Sequence, residues 1–297
     1  AIALGDLVRY FQNPTAFLLN RRLELFLRER DFEVPDREPQ ELSPLDRYAA
    51  GHNLLELILA DVPLEEAKRL IGATGALPLG SPGELDFLEL AADAGAIAEQ
   101  VREARVGAHS EPLLVEHRLP RGRLLLGTLP EAYAGQLVEY QFARVRAKHL
   151  LAFWIRHLAS CWLRPSDASS VLLGRPLTGH GVVRHELTRV AEPARVLEAL
   201  AARYDEGQVA PLLFFPTSSL LFAEQYGKKQ RGGHDLESMV AREWRREVSE
   251  EPHLGRVFEA TQPWPPEPVA GGADFATLAL EVFGPLLEHL STIEGDA

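Results

Sequence analysis

Between residues 112 and 142 the apolar pattern switches from the period of helices to that of strands, which constrains the fold more than any other feature. Three alternating runs, PLLVEHRL, RLLLGTL and QLVEYQF, are separated by Pro-Arg-Gly and Ala-Tyr-Ala-Gly turns, the mark of consecutive strands. An amphipathic helix over 144–163 follows at once, and 169–174 and 181–188 read as two more strands. Helices flank this centre on both sides. On the N-terminal side, 4–28 reads as a helix pair broken at Asn13-Pro14, with Leu7, Tyr10, Phe11, Phe17, Leu18, Leu23 and Phe26 as its apolar positions. A polar, proline-containing linker at 35–44 precedes helices over 45–60, 63–73 and 82–105, the last two joined by the loop 75–83. On the C-terminal side helices are expected over 191–205, 217–230, 234–249 and 273–292, with a rigid connector at 262–268 and a frayed tail after Leu290.

The expected fold class is therefore α/β in the α+β sense. It is read as one domain over 1–297: a helical lead-in (1–110), a mixed sheet with a central helix (111–190) and a helical C-terminal part (191–297). With 297 residues and 46% hydrophobic content the chain can bury a large core, and no stretch approaches the roughly 18 uninterrupted apolar residues of a membrane span. Solubility and a cytoplasmic location are expected. The single cysteine, Cys161, excludes an internal disulfide, fits a reducing compartment and reads as a buried thiol on an apolar helix. Ala1 leads straight into an amphipathic helix, as expected of a domain cut from a longer polypeptide. The net charge of −12, from 31 basic and 43 acidic residues, argues against strong independent nucleic-acid binding, which needs a basic surface to neutralise phosphates.

Residues 123–142 resemble the two catalytic strands of the PD-(D/E)xK nucleases, which carry Gly-x-Ile/Val-Asp and then Asp/Glu-x-Lys. The matching positions here are Gly127-Thr128-Leu129-Pro130 and Glu139-Tyr140-Gln141. Pro130 offers no oxygen where the first acid should bind Mg²⁺, and Gln141 carries no charge where a lysine should hold a phosphate or water. Only Glu139 persists. Glu131, displaced by one residue, would point to the opposite face of a regular strand and reach the site only if Pro130 lay at a bulge or strand end.

Other segments extend the resemblance. The opening LGDLVRYFQNPTAFLLNRRLELFL looks like the start of nuclease domains of the RecB and AddB type. The loop GALPLGSPGEL (75–85), the helix RAKHLLAFWIRHLASC (146–161) and LEALAARYDEGQVAPLLFFPTSSLLFAE (197–224) resemble the C-terminal domain of the exodeoxyribonuclease V gamma subunit, RecC, over nearly the whole chain. That resemblance implies a restriction-endonuclease-like core that no longer cleaves, within a helicase and nuclease complex serving double-strand break repair by recombination. It implies RecB and RecD as partners, duplex and single-stranded DNA within the complex, and a contribution to the pin that parts the strands. It also implies no cofactor in this domain, with Mg and ATP used by the partner subunits. Two alternatives stay open: a working Mg²⁺-dependent exonuclease that recruits Glu116, Glu131 or Glu139, and an interaction module that never touches DNA.

The remaining candidates have simpler explanations beside them. Lys228, Lys229 and Arg231, between Gly227 and Gly232-Gly233, form the densest basic cluster and are candidates for DNA contact, or a solvated loop after a helix. Arg144, Arg146, Lys148 and Arg156 lie opposite the apolar stripe of Leu150, Leu151, Phe153, Trp154 and Leu158, as a basic face open to solvent. His149, His180, His185 and Glu186 lack the spacing of a zinc site. No phosphate loop for ATP and no nucleophile elbow is present. Trp264 in the connector can meet a partner or pack on its own domain.

Overall fold

A computed structural model describes residues 1–27, 42–166, 168–229, 236–268 and 271–295, with the side chains of 227–229 excepted. The chain opens with a two-residue strand, β1 (Ile2–Ala3), and helix α1 (Leu4–Gln12), whose Leu4, Leu7, Val8 and Phe11 recur at helical spacing and are buried. Asn13 ends α1 and starts α2 (Pro14–Phe17): its Oδ1 accepts the Ala16 N–H at 2.9 Å, and proline occupies the first turn, where its missing N–H costs nothing. The helical run stops earlier than the apolar pattern suggests. A π-helical turn closes at Arg22, and Leu23 and Phe26 are 55% and 73% exposed. Residues 35–41 of the expected linker lie outside the described residues.

Three helices follow: α3 (Pro44–Leu59), capped by the Ser43 hydroxyl accepting the Asp46 N–H, α4 (Leu64–Ala73) and α5 (Ser81–Ala104). Strands β2 (Leu113–Arg118) and β3 (Leu124–Leu129) pair antiparallel, and β1 joins β3 in parallel to complete a three-stranded sheet. A second sheet of five strands has the order β4-β5-β6-β7-β8. Its members are β4 (Ala132–Tyr133), β5 (Gln136–Arg144), β6 (Ser169–Arg175), β7 (Val183–Leu187) and β8 (Leu290–Glu294).

The runs RLLLGTL and QLVEYQF, expected as consecutive strands of one mixed sheet, therefore fall in different sheets. Strand β3 pairs with β1 and β2, and β5 pairs with β4 and β6. Pro130 and Glu131 lie between β3 and β4, where a residue without an N–H can end the ladder, so the chain passes from one sheet to the other at the proline. The tight turn after it is Ala134-Gly135, with φ of 46° and 87°, the two left-handed positions of a primed two-residue turn.

Helix α6 (Ala147–Leu163) links the parallel strands β5 and β6 and is buried over most of its circumference. One face of the larger sheet packs against α6 through Leu137 and Leu172, and α6 in turn packs against α1; the other face packs against α3 and α5 through Val138, Phe142, Val171 and Leu173. Gly51 of α3 sits so close to the Phe142 ring that a Cβ there would come within 2.0 Å of it. The C-terminal flank consists of α7 (Pro193–Glu206), α8 (Pro216–Lys229), α9 (Leu236–Glu250), α10 (Pro252–Val257) and α11 (Phe275–His289). The tail expected to fray instead forms β8, which pairs antiparallel with β7 from Leu187↔Leu290 to Val183↔Glu294.

Candidate functional site

Because side chains alternate along a strand, β5 presents two unlike surfaces. Leu137 and Glu139 point to α6; Val138, Tyr140 and Phe142 point to α3 and α5. Gln141 lies where the β5–β6 register shifts between Tyr140 and Arg144, so alternation does not fix its side. Of the residues that match the second half of the nuclease motif, Glu139 is the one whose partner on α6 is seen.

Its chemistry is occupied. Arg156, from the middle of α6, donates Nε to Glu139 Oε1 at 2.6 Å and Nη2 to Oε2 at 2.5 Å, a two-pronged pair with 28% of the Arg156 side chain and 12% of the Glu139 side chain exposed. Burial pulls the guanidinium pKa down, and the Glu139 charge with its hydrogen bonds more than reverses this, leaving it raised. Both carboxylate oxygens hold a permanent cation. Gln141 is half-buried, and its Nε2 has no hydrogen-bond partner. Arg156 is the correction to a basic face open to solvent: the side of α6 away from its apolar stripe faces β5. A lone guanidinium within LLAFWIRHLAS signals a buried partner, because a desolvated arginine needs one.

The proposed replacement acids are elsewhere. Pro130 is exposed; extending the Ala132↔Leu137 register would set it opposite Glu139, but the pairing stops at Ala132. Glu131 accepts a hydrogen bond from Tyr133 Oη at 3.4 Å, and Tyr133 packs on the α3 and α5 side, so Glu131 faces away from Glu139. Glu116 is exposed in the other sheet, opposite Leu126. No three His, Cys, Asp or Glu side chains among the described residues group as a metal would need. The motif glycine is kept for packing. A Cβ on Gly127 would lie 2.6 Å from the Leu4 Cβ, so this position admits the start of α1 over β3.

The histidines are not brought together. His149 Nδ1 accepts the Arg146 backbone N–H at 3.0 Å, and burial with the charges of Lys148 and Arg146 holds its pKa at about 4. His185 meets the Thr292 hydroxyl at 2.9 Å, His180 is exposed, and Glu186 pairs with Arg184. Cys161 is buried with its thiol pKa raised by burial, beside His157 at 3.3 Å. His157 is itself fully buried: Ser170 Oγ lies 2.8 Å from Nδ1 and the Thr188 carbonyl 3.0 Å from Nε2. Trp264 packs on its own domain, with ring centroids 5.2 Å from Trp244 and 4.7 Å from Phe275. Arg231 and the side chains of Lys228 and Lys229 lie outside the described residues.

This geometry defines a class: an α+β domain with two mixed sheets, in the larger of which an interior strand, β5, carries a carboxylate neutralised in place by the helix above it. The chain belongs to the RecC C-terminal domain family, whose model matches residues 1–227. It is similar to the RecBCD enzyme subunit RecC of Escherichia coli K12, 26% identical over 217 residues, covering 73% of this chain and 19% of that protein. The same-named subunit of Mycolicibacterium smegmatis is 27% identical over 231 residues, 75% of this chain and 20% of that one. That of Mycobacterium tuberculosis H37Rv is 26% identical over 222 residues, 71% and 19%. The chain spans about a fifth of the length of these relatives. The family match ends before α9, α10, α11 and β8. No helix among the described residues is long and apolar enough to cross a membrane.

Proposed function

We propose that this chain is a non-catalytic, nuclease-like domain of a RecBCD-type helicase and nuclease. In this reading it acts in the cytoplasm as one domain over 1–297, scaffolds RecB and RecD, and helps to part duplex ends in double-strand break repair by recombination. Mg and ATP are used by the partner subunits. The observation that carries the reading is the Arg156 guanidinium on both oxygens of Glu139. A divalent ion needs free hard oxygens, and here the one acid of the motif is saturated, with proline and glutamine at the other two positions. The parallel pair β5 and β6 under α6 supports a restriction-endonuclease-like core behind this site. Strand parting asks for a rigid support, and loss of metal ligands does not impair that.

The test is Glu139→Gln in the reconstituted three-subunit enzyme, on linear duplex DNA with Mg²⁺ or Mn²⁺. Degradation and unwinding should stay within about twofold of the parent, because no reacting atom is removed. Loss of degradation with unwinding kept would establish a working exonuclease site instead. The acidic balance of −12 favours a second reading, an interaction module without DNA contact. A photoreactive forked DNA end that labels only other parts of the complex would select it.

A further inference from the structure

A cleft of about 550 Å³ opens between the start of α6, the end of α1, the start of α8 and the end of α9. Its two long walls have opposite charge. On one side Arg146 and Lys148 are exposed and have no ion-pair partner among the described residues. They stand at the first turn of α6, a 17-residue helix whose dipole disfavours cations at that end. Since His149 Nδ1 accepts a backbone N–H, its Nε2 carries the proton and remains a neutral donor on the same wall.

On the other side stand Glu250, 68% exposed at the C-terminal end of α9, and Glu251. A carboxylate at that end is again set against its own helix dipole. Arg246 reaches Glu250 only at 4.0 Å, whereas Glu251 is taken up in capping α10, its Oε1 accepting the His253 N–H at 3.5 Å and lying 2.9 Å from His253 Nδ1. Glu247 is already used: it accepts the Thr217 and Ser218 N–H groups and the Ser218 hydroxyl, which caps α8. Arg9 is held by Asp6. No ion pair among the described residues joins the two walls, and Pro216 and Leu254 give the cleft an apolar lining between them.

We propose that this cleft docks a segment of a sister subunit that carries acidic and basic side chains close together. Such a segment sets its carboxylates on the Arg146 and Lys148 wall and its cations on Glu250, and relieves the start of α6 and the end of α9 at once. A nucleic-acid backbone satisfies the first wall and is repelled by the second, so the charges favour polypeptide. The inference rests on the assembly reading above and adds a surface to it.

The test is p-benzoylphenylalanine at Gln12, which lines the cleft, in the full-length polypeptide assembled with its sister subunits. Irradiation should attach a sister subunit through a segment in which acidic and basic residues lie within a few positions. The reversal Arg146→Glu with Lys148→Glu should lower adduct yield by about tenfold or more, and exchanging the segment's acids for lysines should restore it. A circular-dichroism melt of the doubly reversed chain reports whether it still folds. An assembled enzyme whose label attaches to DNA, to the same polypeptide or to nothing overturns the docking surface alone. Failure of the chain to assemble at all removes the reading beneath it as well.

Discussion

The two faces of β5 each hold an arginine, and they hold it by different means. On the α6 side, Arg156 is matched by the full charge of Glu139 in a two-pronged pair. On the α3 and α5 side, Arg105 lies over two rings, 4.9 Å from the Tyr140 centroid and 5.4 Å from that of Tyr133, while Tyr140 Oη donates to Glu56 at 3.3 Å. The first arrangement saturates a carboxylate with a formal charge, whereas the second fastens the helical layer to the sheet edge by ring faces. A half-buried cation can therefore be kept beside one strand either by a formal countercharge or by ring faces, and the two need not cost the same to break. The opposite side carries a charge pair as well, farther along the sheet: Arg175 meets Asp93 of α5 at 3.1 Å and lies over the Phe142 ring.

Acid separates the faces most strongly. His157, on the α6 side, is held neutral by burial with a pKa of about 4, against an ordinary value of 6.5. The unfolded chain takes up a proton that the folded chain refuses, so this contribution is full above pH 6.5 and is lost as pH falls towards 4, by about 3 kcal/mol. Urea midpoints measured across that window should fall, and His157→Gln should flatten the fall. An unchanged slope would mean that this face does not govern acid stability.

A smaller effect is expected from Glu139→Ala, which strands a mostly buried guanidinium. The cost should be about 2–3 kcal/mol, below the value for a fully enclosed pair because part of Arg156 meets water. The double change Glu139→Ala with Arg156→Leu should recover most of it in chemical denaturation. Failure to recover would show that Arg156 has other ties. The smallest change is Arg105→Ala, at about 1 kcal/mol, since stacking on rings at a partly wet edge is weaker than a desolvated charge pair. A loss larger than that for Glu139→Ala would reverse the ranking of the two faces.

Much of this could be read before any coordinates. The change of period located β2, β3, β5, β6 and β7; Pro130 does lie at a strand end, the condition set for Glu131 to reach the site, yet its contact with Tyr133 turns Glu131 away from Glu139. Alternation carries no information on which strands pair, so the division into two sheets at Pro130 stayed hidden. Arg156 was misassigned for a related reason: a helical projection tells stripe from counter-stripe, but not that a second layer covers the counter-stripe. The strand LSTIE has little alternation of its own and exists because β7 offers it an edge.

That last pairing has a consequence for biosynthesis. The ribosome delivers β8 about a hundred residues after β7, so throughout the making of α7 to α11 the backbone donors and acceptors on the outer side of β7 have no sheet partner. Until Leu290–Glu294 arrives, the nascent polypeptide displays a sticky border, and shortening the chain before Leu290 would make that border permanent. The late strand thus shifts the open border outward, from the half-buried β7 to the largely exposed Leu290–Glu294.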